Sequence, residues 1–361
     1  MKESLRGELV SKLSLSSQFS FFFPSFVPPR LWQKLPIMKA LLCTHFGLPD
    51  TLQVQEVSSP IAGPKEVVIT VAACGVNFPD VLIIQNKYQF KPELPFSPGG
   101  EVAGILSELG DEVQGLELGQ PVLALCGWGG FAEKVAVAAD RVFPLPEGIS
   151  AEVAATTLYT YGTSYHALKD RAQLQTGETL LVLGAAGGVG LAAVELGALM
   201  GARVIAAAST EEKLALCREK GAVETINYET EDLKMRIKEL TGGQGVDVVF
   251  DPVGGKFSEG ALRGMAWKGR YLVVGFANGE IPQLPMNLPL LKGCAVVGVF
   301  WGQFAKLEPK VNLQNTRQLL AWIQEGKIRQ HVGKKYSLDQ APQALQDLMD
   351  RKMLGKGVVV F

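Results

Sequence analysis

Apolar residues fall into short runs along this chain, and the runs are of two kinds. From Met38 to about Glu147 they are brief and punctuated throughout by Gly and Pro. Residues 39–44, 66–71, 100–106, 120–125 and 131–137 read as strands separated by turns, which predicts a mostly β region. Further on the period changes. The apolar run 179–183 leads into the turn Gly184-Ala-Ala-Gly-Gly-Val-Gly190 and then into an alanine-rich helix running through Val194. Residues 202–208 form a second buried strand, which completes a βαβ unit. The alternation then repeats: helix 210–220 and strand 224–228, helix 231–240 and strand 246–250, helix 257–267 and strand 269–275. Such a pattern predicts an α/β fold built on a doubly wound parallel sheet. After it, 312–325 reads as a helix and 357–361 as a closing strand that returns to the first domain.

The turn carries candidate chemistry. Gly187 and Gly188 let the backbone bend tightly and approach a phosphate, and Gly190 lets the new helix pack against the strand it has just left. The helix start offers unpaired N–H groups and the positive end of its dipole to an anion. Ala185 stands where the first glycine of G-x-G-x-x-G belongs, so the fingerprint alone is weak. The βαβ repeat around it favours a dinucleotide over glycines that serve packing only. An NAD site places Asp or Glu about 20 residues after the glycines, on the ribose 2′-hydroxyl. Here the second strand closes on Ala207, Ala208, Ser209 and Thr210, with Lys213 one turn on. A hydroxyl and an ammonium suit a 2′-phosphate, which points to NADPH. The following Glu211 and Glu212 leave open the other reading of this segment, an ordinary helix cap with an acidic first turn.

The 361 residues are 47% hydrophobic, enough for two domains with substantial cores. A net charge of −1 without long runs of one sign argues against a nucleic-acid partner. Gly or Pro interrupts every apolar stretch before the roughly 20 residues that a spanning helix needs, so no membrane span is expected. The five cysteines lie far apart and the three histidines form no cluster with them, so spacing predicts no zinc. An odd number of cysteines fits reduced thiols in an intracellular compartment. Residues 1–37, rich in Ser and Phe and more basic than acidic, read as an extension. A disordered or upstream-initiated extension implies a cytoplasmic protein; a transit peptide implies a mitochondrial one.

Gly75-Val-Asn-Phe-Pro-Asp80, Pro98-Gly-Gly-Glu-Val-Ala-Gly104, Gly130-Phe-Ala-Glu133, Thr163, the 185–190 turn and Asp251-Pro-Val-Gly254 together resemble the medium-chain dehydrogenase/reductase superfamily, and within it the zinc-independent quinone oxidoreductase branch. The resemblance runs from Met38 to Phe361. It implies a GroES-like β domain over 38–158, completed by about 302–361, and a Rossmann domain over 159–301, with the cofactor between them. Where related alcohol dehydrogenases place a zinc-binding cysteine this chain has Asn77, and where they place a histidine before a glutamate it has Gly100 before Glu101. Neither can serve as that ligand, which implies chemistry without zinc.

The same resemblance implies that Asn77 and Asp80 line the cleft near the nicotinamide, with Asn77 or a tyrosine donating to the acceptor oxygen. Thr163, Ala185, Ala186, Gly187, Gly188, Val189 and Gly190 would hold the cofactor, with Gly275 and Phe276 at the end of a sheet strand. Ser209, Lys213 and Tyr228 would surround the adenosine phosphate, and Lys356 would also reach the cofactor. Many quinone reductases carry a tyrosine where this chain has Leu82. The segment Asn77 to Tyr88 also resembles the enoyl-thioester reductases, whose proton-donating tyrosine matches Tyr88. Small quinone or enone acceptors and enoyl-thioesters are therefore both open, as is a non-catalytic NADPH-binding role. Phe300 and Trp301, expected at the end of the last strand, are candidates for the acceptor wall or for a subunit interface; the resemblance implies a homodimer paired along that edge.

Overall fold

The computed structural model describes residues 36–361, so the expected N-terminal extension lies outside the described residues up to position 35. The parallel sheet has six strands in the order Glu224–Asn227, Arg203–Ala208, Thr179–Leu183, Val246–Asp251, Met265–Val273, Ala295–Gly298. Thr179–Leu183 pairs with one neighbour that follows it in sequence and with one much later, so the strand order reverses at its C-terminal end. Helices leave in opposite directions there and a crevice opens. Leu180, Leu181, Val182 and Leu183 are fully buried on both faces, as a central parallel strand requires.

The helix Gly188–Leu199 lies close against this strand because it presents glycine to it. A Cβ at Gly190 would overlap the Gly184 carbonyl oxygen, and one at Gly197 would come within 2.6 Å of Leu180 Cδ2.

A second, seven-stranded sheet carries the first part of the chain. Its main path is Val332–Tyr336, Lys356–Val360, Glu66–Gly75, Glu101–Leu109, Pro121–Leu125, Val142–Pro144, and Lys134–Ala138 adds to Glu66–Gly75. The closing strand does return to the first sheet: Val358 stands opposite Gly75. Just before it, the Gly355 N–H donates to Ala186 O at 2.9 Å, so the same segment is tied to the glycine turn of the other sheet.

Three expectations change. The helix 257–267 ends at Arg263, and Met265 onward is strand, because Val246 pairs with Met265 and the extra residues are absorbed by an irregularity at Lys268, φ +62°. The last strand stops at Gly298; Phe300 caps the helix Trp301–Leu307, with Trp301 buried and Phe300 half exposed. The β region also contains a helix, Phe78–Ile83, and is followed by a helical stretch over 151–171 with π-turns at Leu158–Gly162 and His166–Arg171. Such turns widen a helix and recur at functional sites. All five cysteines are free thiols, and among the described residues no helix is long and apolar enough to cross a membrane.

Gly190→Ala should destabilise the fold by about 1–3 kcal/mol, since the methyl meets backbone that cannot move aside. Gly298→Ala, where a Cβ would have open space, is the control and should change stability by less than about 0.5 kcal/mol. Urea unfolding of the two variants checks this; equal stability would remove the packing role assigned to Gly190.

Candidate functional site

At the end of the strand Glu66–Gly75 the chain turns into the helix Phe78–Ile83, and Asn77 caps that helix. Its N–H donates to Asp80 Oδ2 at 2.8 Å, while Asp80 Oδ1 accepts from Gly99 N–H at 3.2 Å. Asp80 thus pins the helix start to the loop before Glu101. Burial pushes its carboxyl up to about 7, with the Asn77 N–H, the Lys356 charge and the Gly99 N–H pulling the other way.

Glu101 begins the next strand and is wholly buried. Its carboxylate accepts the N–H groups of Leu158 and Tyr159 at the start of the first π-turn. It also accepts from Asn77 Nδ2 at 3.4 Å. Burial raises it to about 7, opposed chiefly by Lys356. Lys356 comes from the opposite end of the chain and is itself buried; desolvation lowers its pKa against the pull of Glu101 and Asp80.

Lys356 Nζ donates to Asn77 Oδ1, and that contact sets the carboxamide orientation, because an ammonium has nothing to accept with. Asn77 Nδ2 then faces Gly75 O at 3.1 Å and Glu101 Oε2, which uses both of its hydrogens. The expectation that Asn77 donates to an acceptor oxygen is therefore not met by this geometry. Beside Asn77 and Glu101 the lining offers two phenols, Tyr88 and Tyr159. Tyr88 lines the cleft edge-on to Phe90, ring centroids 5.8 Å apart, and Tyr159 stands edge-on to Trp301 at 5.7 Å. Burial raises both phenols, with the Asp80 charge next in importance, so both keep their protons at neutral pH.

Asn77, Tyr88, Thr163, Ala186, Gly187, Gly188, Val189, Gly190, Lys213, Tyr228, Gly275, Phe276 and Lys356 all line one cleft. Ala185 does not: it is buried in the helix–sheet core, its N–H donating to Ala207 O at 3.0 Å. Asp80 lies beneath the surface of the cleft. Ser209 stands behind Lys213 and accepts from its Nζ at 3.1 Å.

Several residues that pattern reasoning missed complete the arrangement. Lys213 Nζ also donates to the backbone oxygen of Arg351 at 3.3 Å. Arg351, at φ +58°, turns its guanidinium to Asn278 Oδ1 at 2.9 Å and shares the cleft lining with Lys213 and Tyr228. Nothing in the local sequence links positions 138 residues apart. Tyr159 and Trp128 are likewise brought in only by the tertiary fold.

A zinc site of the alcohol-dehydrogenase kind does not fit here. Besides lacking ligands at Asn77 and Gly100, the chain crowds position 100, where a Cβ would lie 2.8 Å from Tyr159 Oη. Among the described residues no group of three or more His, Cys, Asp or Glu side chains could hold a metal ion.

Comparison with known proteins agrees with this architecture. Residues 63–147 match the family model of the alcohol dehydrogenase GroES-like domain, and residues 188–324 match that of zinc-binding dehydrogenases. A quinone oxidoreductase-like protein 2 homolog from Nematostella vectensis is 40% identical over 324 residues, covering 89% of this chain and 88% of the relative. Quinone oxidoreductase-like protein 2 of Bos taurus is 38% identical, covering 88% and 91%. The structure of Escherichia coli quinone oxidoreductase complexed with NADPH superposes with a TM-score of 0.84 at 29% identity, covering 90% of this chain and all of that one. The β sheet, the parallel sheet with its glycine turn, and the relatives that share both place this chain in the quinone oxidoreductase-like family of the medium-chain dehydrogenase/reductase superfamily, to which it belongs.

Proposed function

We propose that the chain is an NADPH-dependent, zinc-independent reductase that transfers hydride to quinones or other α,β-unsaturated carbonyl acceptors. The observation that carries this reading is one cleft with an anion-fitted glycine turn and a Lys213–Ser209–Tyr228–Arg351 pocket on one side, and two protonated phenols, Tyr88 and Tyr159, on the other. The residues fit the cofactor: a Cβ at Gly187 would meet nothing nearer than Gly184 O at 3.4 Å, so the backbone there is open to a phosphate. Lys213 and Arg351 answer a 2′-phosphate, and no carboxylate ends the strand Arg203–Ala208 to claim a free ribose hydroxyl.

When bound, the reduced nicotinamide supplies a hydride, and the acceptor takes a further proton. The chain's own groups do the rest. Lys356 and Glu101 clamp the Asn77 carboxamide, so the floor of the cleft is rigid and its polar groups are already satisfied. Tyr88 and Tyr159 can donate to an acceptor oxygen as charge develops on it. Leu82, Trp128 and Trp301 line the same space with apolar surface, which keeps water from competing.

A turnover screen with NADPH against quinones, enones and enoyl-thioesters tests the reading. Tyr88→Phe should lower kcat on enones by roughly 10²-fold with little change in KM, the usual worth of a positioned proton donor; unchanged rates would assign donation to Tyr159. NADPH binding without turnover of any acceptor would replace catalysis with a binding role.

Lys213→Ala should weaken NADPH binding about tenfold or more and leave NADH binding nearly unchanged, the loss of one charge-assisted contact. Equal weakening, measured by fluorescence titration, would overturn the phosphate assignment.

Asp80 titrates near 3.8 in the unfolded chain and at about 7 in the fold, so between those values the folded state holds a proton that the unfolded chain gives up. Its stabilising contribution is complete below about pH 4 and is lost as the pH rises to 7. The melting temperature should fall between about pH 4 and 7, and Asp80→Asn should flatten that slope; an identical slope in the variant would place its origin elsewhere.

A further inference from the structure

Arg351 stands where glycine is the usual residue. It follows the helix Ala341–Met349 and its cap Asp350, and at φ +58° it takes the left-handed position on which helices commonly end. The Arg351 N–H donates to Leu348 O at 3.2 Å and that of Lys352 to Asp347 O at 3.0 Å. Glycine adopts this conformation without steric cost, whereas a residue with a Cβ does not. What arginine adds is a tie between the two sheets. Arg351 precedes the closing strand Lys356–Val360, while Lys213 and Asn278 belong to the part of the chain that builds the parallel sheet. The Arg351 Nη2 donates to Asn278 Oδ1 at 2.9 Å, and its main-chain oxygen accepts from Lys213 Nζ at 3.3 Å.

These bonds form one chain from the phosphate pocket to the loop 274–279. At its start Lys213 Nζ also donates to Ser209 Oγ at 3.1 Å. Burial and the Glu229 charge raise the Tyr228 phenol, whereas the Arg351 charge and the Ser209 hydroxyl lower it, so Tyr228 shares their space. At the far end Asn278 is fixed by its backbone: its N–H donates to Val253 O at 2.9 Å, and the Ala277 N–H to Pro252 O at 3.0 Å. Glycine makes room for its side chain, since a Cβ at Gly255 would overlap Asn278 Nδ2. The loop leaves the strand Met265–Val273, and Val273 O accepts the Val299 N–H at 2.9 Å. Two residues after Val299, Trp301 meets Tyr159. The loop is thus bonded to the phosphate pocket and begins beside the segment that carries the acceptor wall.

An ammonium has three hydrogens, of which Lys213 uses two in these bonds; a guanidinium has five, and the bond to Asn278 uses one. All three bonds go to neutral oxygens, so they cancel neither charge. We propose that Arg351 and Asn278 are positioning residues that couple the cofactor's 2′-phosphate to the loop 274–279. The phosphate takes the remaining donors of Lys213 and Arg351, the planar guanidinium is thereby fixed with Nη2 on Asn278, and the loop is held. NADH offers these donors nothing and leaves the guanidinium tied by the Asn278 bond alone. This rests on the NADPH reading above and adds to it: the phosphate acts on the alignment of the reactants, hence on kcat, besides affinity.

Amide hydrogen exchange reads the coupling without turnover. Saturating adenosine 2′,5′-bisphosphate should slow exchange at Ala277 and Asn278 about tenfold relative to saturating 5′-AMP, because the loop opens less often. Asn278→Ala and Arg351→Lys should each keep the protection around Lys213 at saturating bisphosphate and lose the slowing at 277–278. The lysine retains the charge but lacks the fork that reaches phosphate and carboxamide together. In turnover, Asn278→Ala should bring kcat with NADPH down to within about twofold of that with NADH, while KM for NADPH stays within about twofold. Slowing that AMP produces equally, or that survives both substitutions, overturns the proposal and leaves the phosphate pocket standing. A bisphosphate that binds no more tightly than AMP overturns the pocket, and the proposal with it. Should no acceptor be reduced, only the reductase reading fails, and the exchange comparison still decides.

Discussion

One buried ammonium holds this structure's site together. Lys356 is drawn out of water at the junction of the two sheets, where an isolated charge would be prohibitively costly. Its neighbours are arranged to answer it: the carboxamide oxygen of Asn77 at contact, and the Glu101 and Asp80 carboxyls close enough to shift its titration. Each of these groups also fastens backbone. Glu101 accepts the amides that start the π-turn carrying Tyr159, Asp80 accepts those of Asn77 and Gly99, and the residue before Lys356 bonds the glycine turn. Removing one member of such a buried set leaves the others uncompensated, typically at roughly 3–5 kcal/mol. The segment that carries this ammonium therefore links the glycine turn of one sheet to the Asn77 and Glu101 end of the other.

How much of this could be read from the sequence follows from which interactions are local. The run Thr179–Leu183, the glycines after it and the repeating strand–helix period depend on neighbours in the chain, and the parallel sheet and its turn were legible from them. The helix Phe78–Ile83 was hidden, since Pro79 and the Gly75–Asp80 turn read as loop and only the Asp80 bonds to Asn77 and Gly99 reveal a capped helix start. Arg351 and Tyr159 were illegible for another reason. Their partners are reached only once the closing strand and the 151–171 helical stretch have folded back on the cleft.

Asn77 shows the limit of reading roles from residue type. A carboxamide in a reductase cleft invites the role of donor to an oxygen, and its position in the motif supports that. The fold instead spends both of its hydrogens on Gly75 O and Glu101 Oε2 and turns its oxygen to Lys356. Burial keeps the phenols of Tyr88 and Tyr159 protonated, so they retain a hydrogen to donate where the Asn77 carboxamide has none left.

The same space that a histidine side chain would need at position 100 is filled by the Tyr159 hydroxyl. A phenol and a metal differ in what they can stabilise. A divalent cation holds a developing alkoxide by charge, whereas a hydroxyl offers one directed hydrogen bond and little charge. That weaker grip suits an acceptor whose negative charge is delocalised over a conjugated system, as in a quinone or an enoyl group, better than a simple ketone, where the charge collects on a single oxygen. Beside Gly100 the cleft therefore offers a neutral phenol, not a fixed charge.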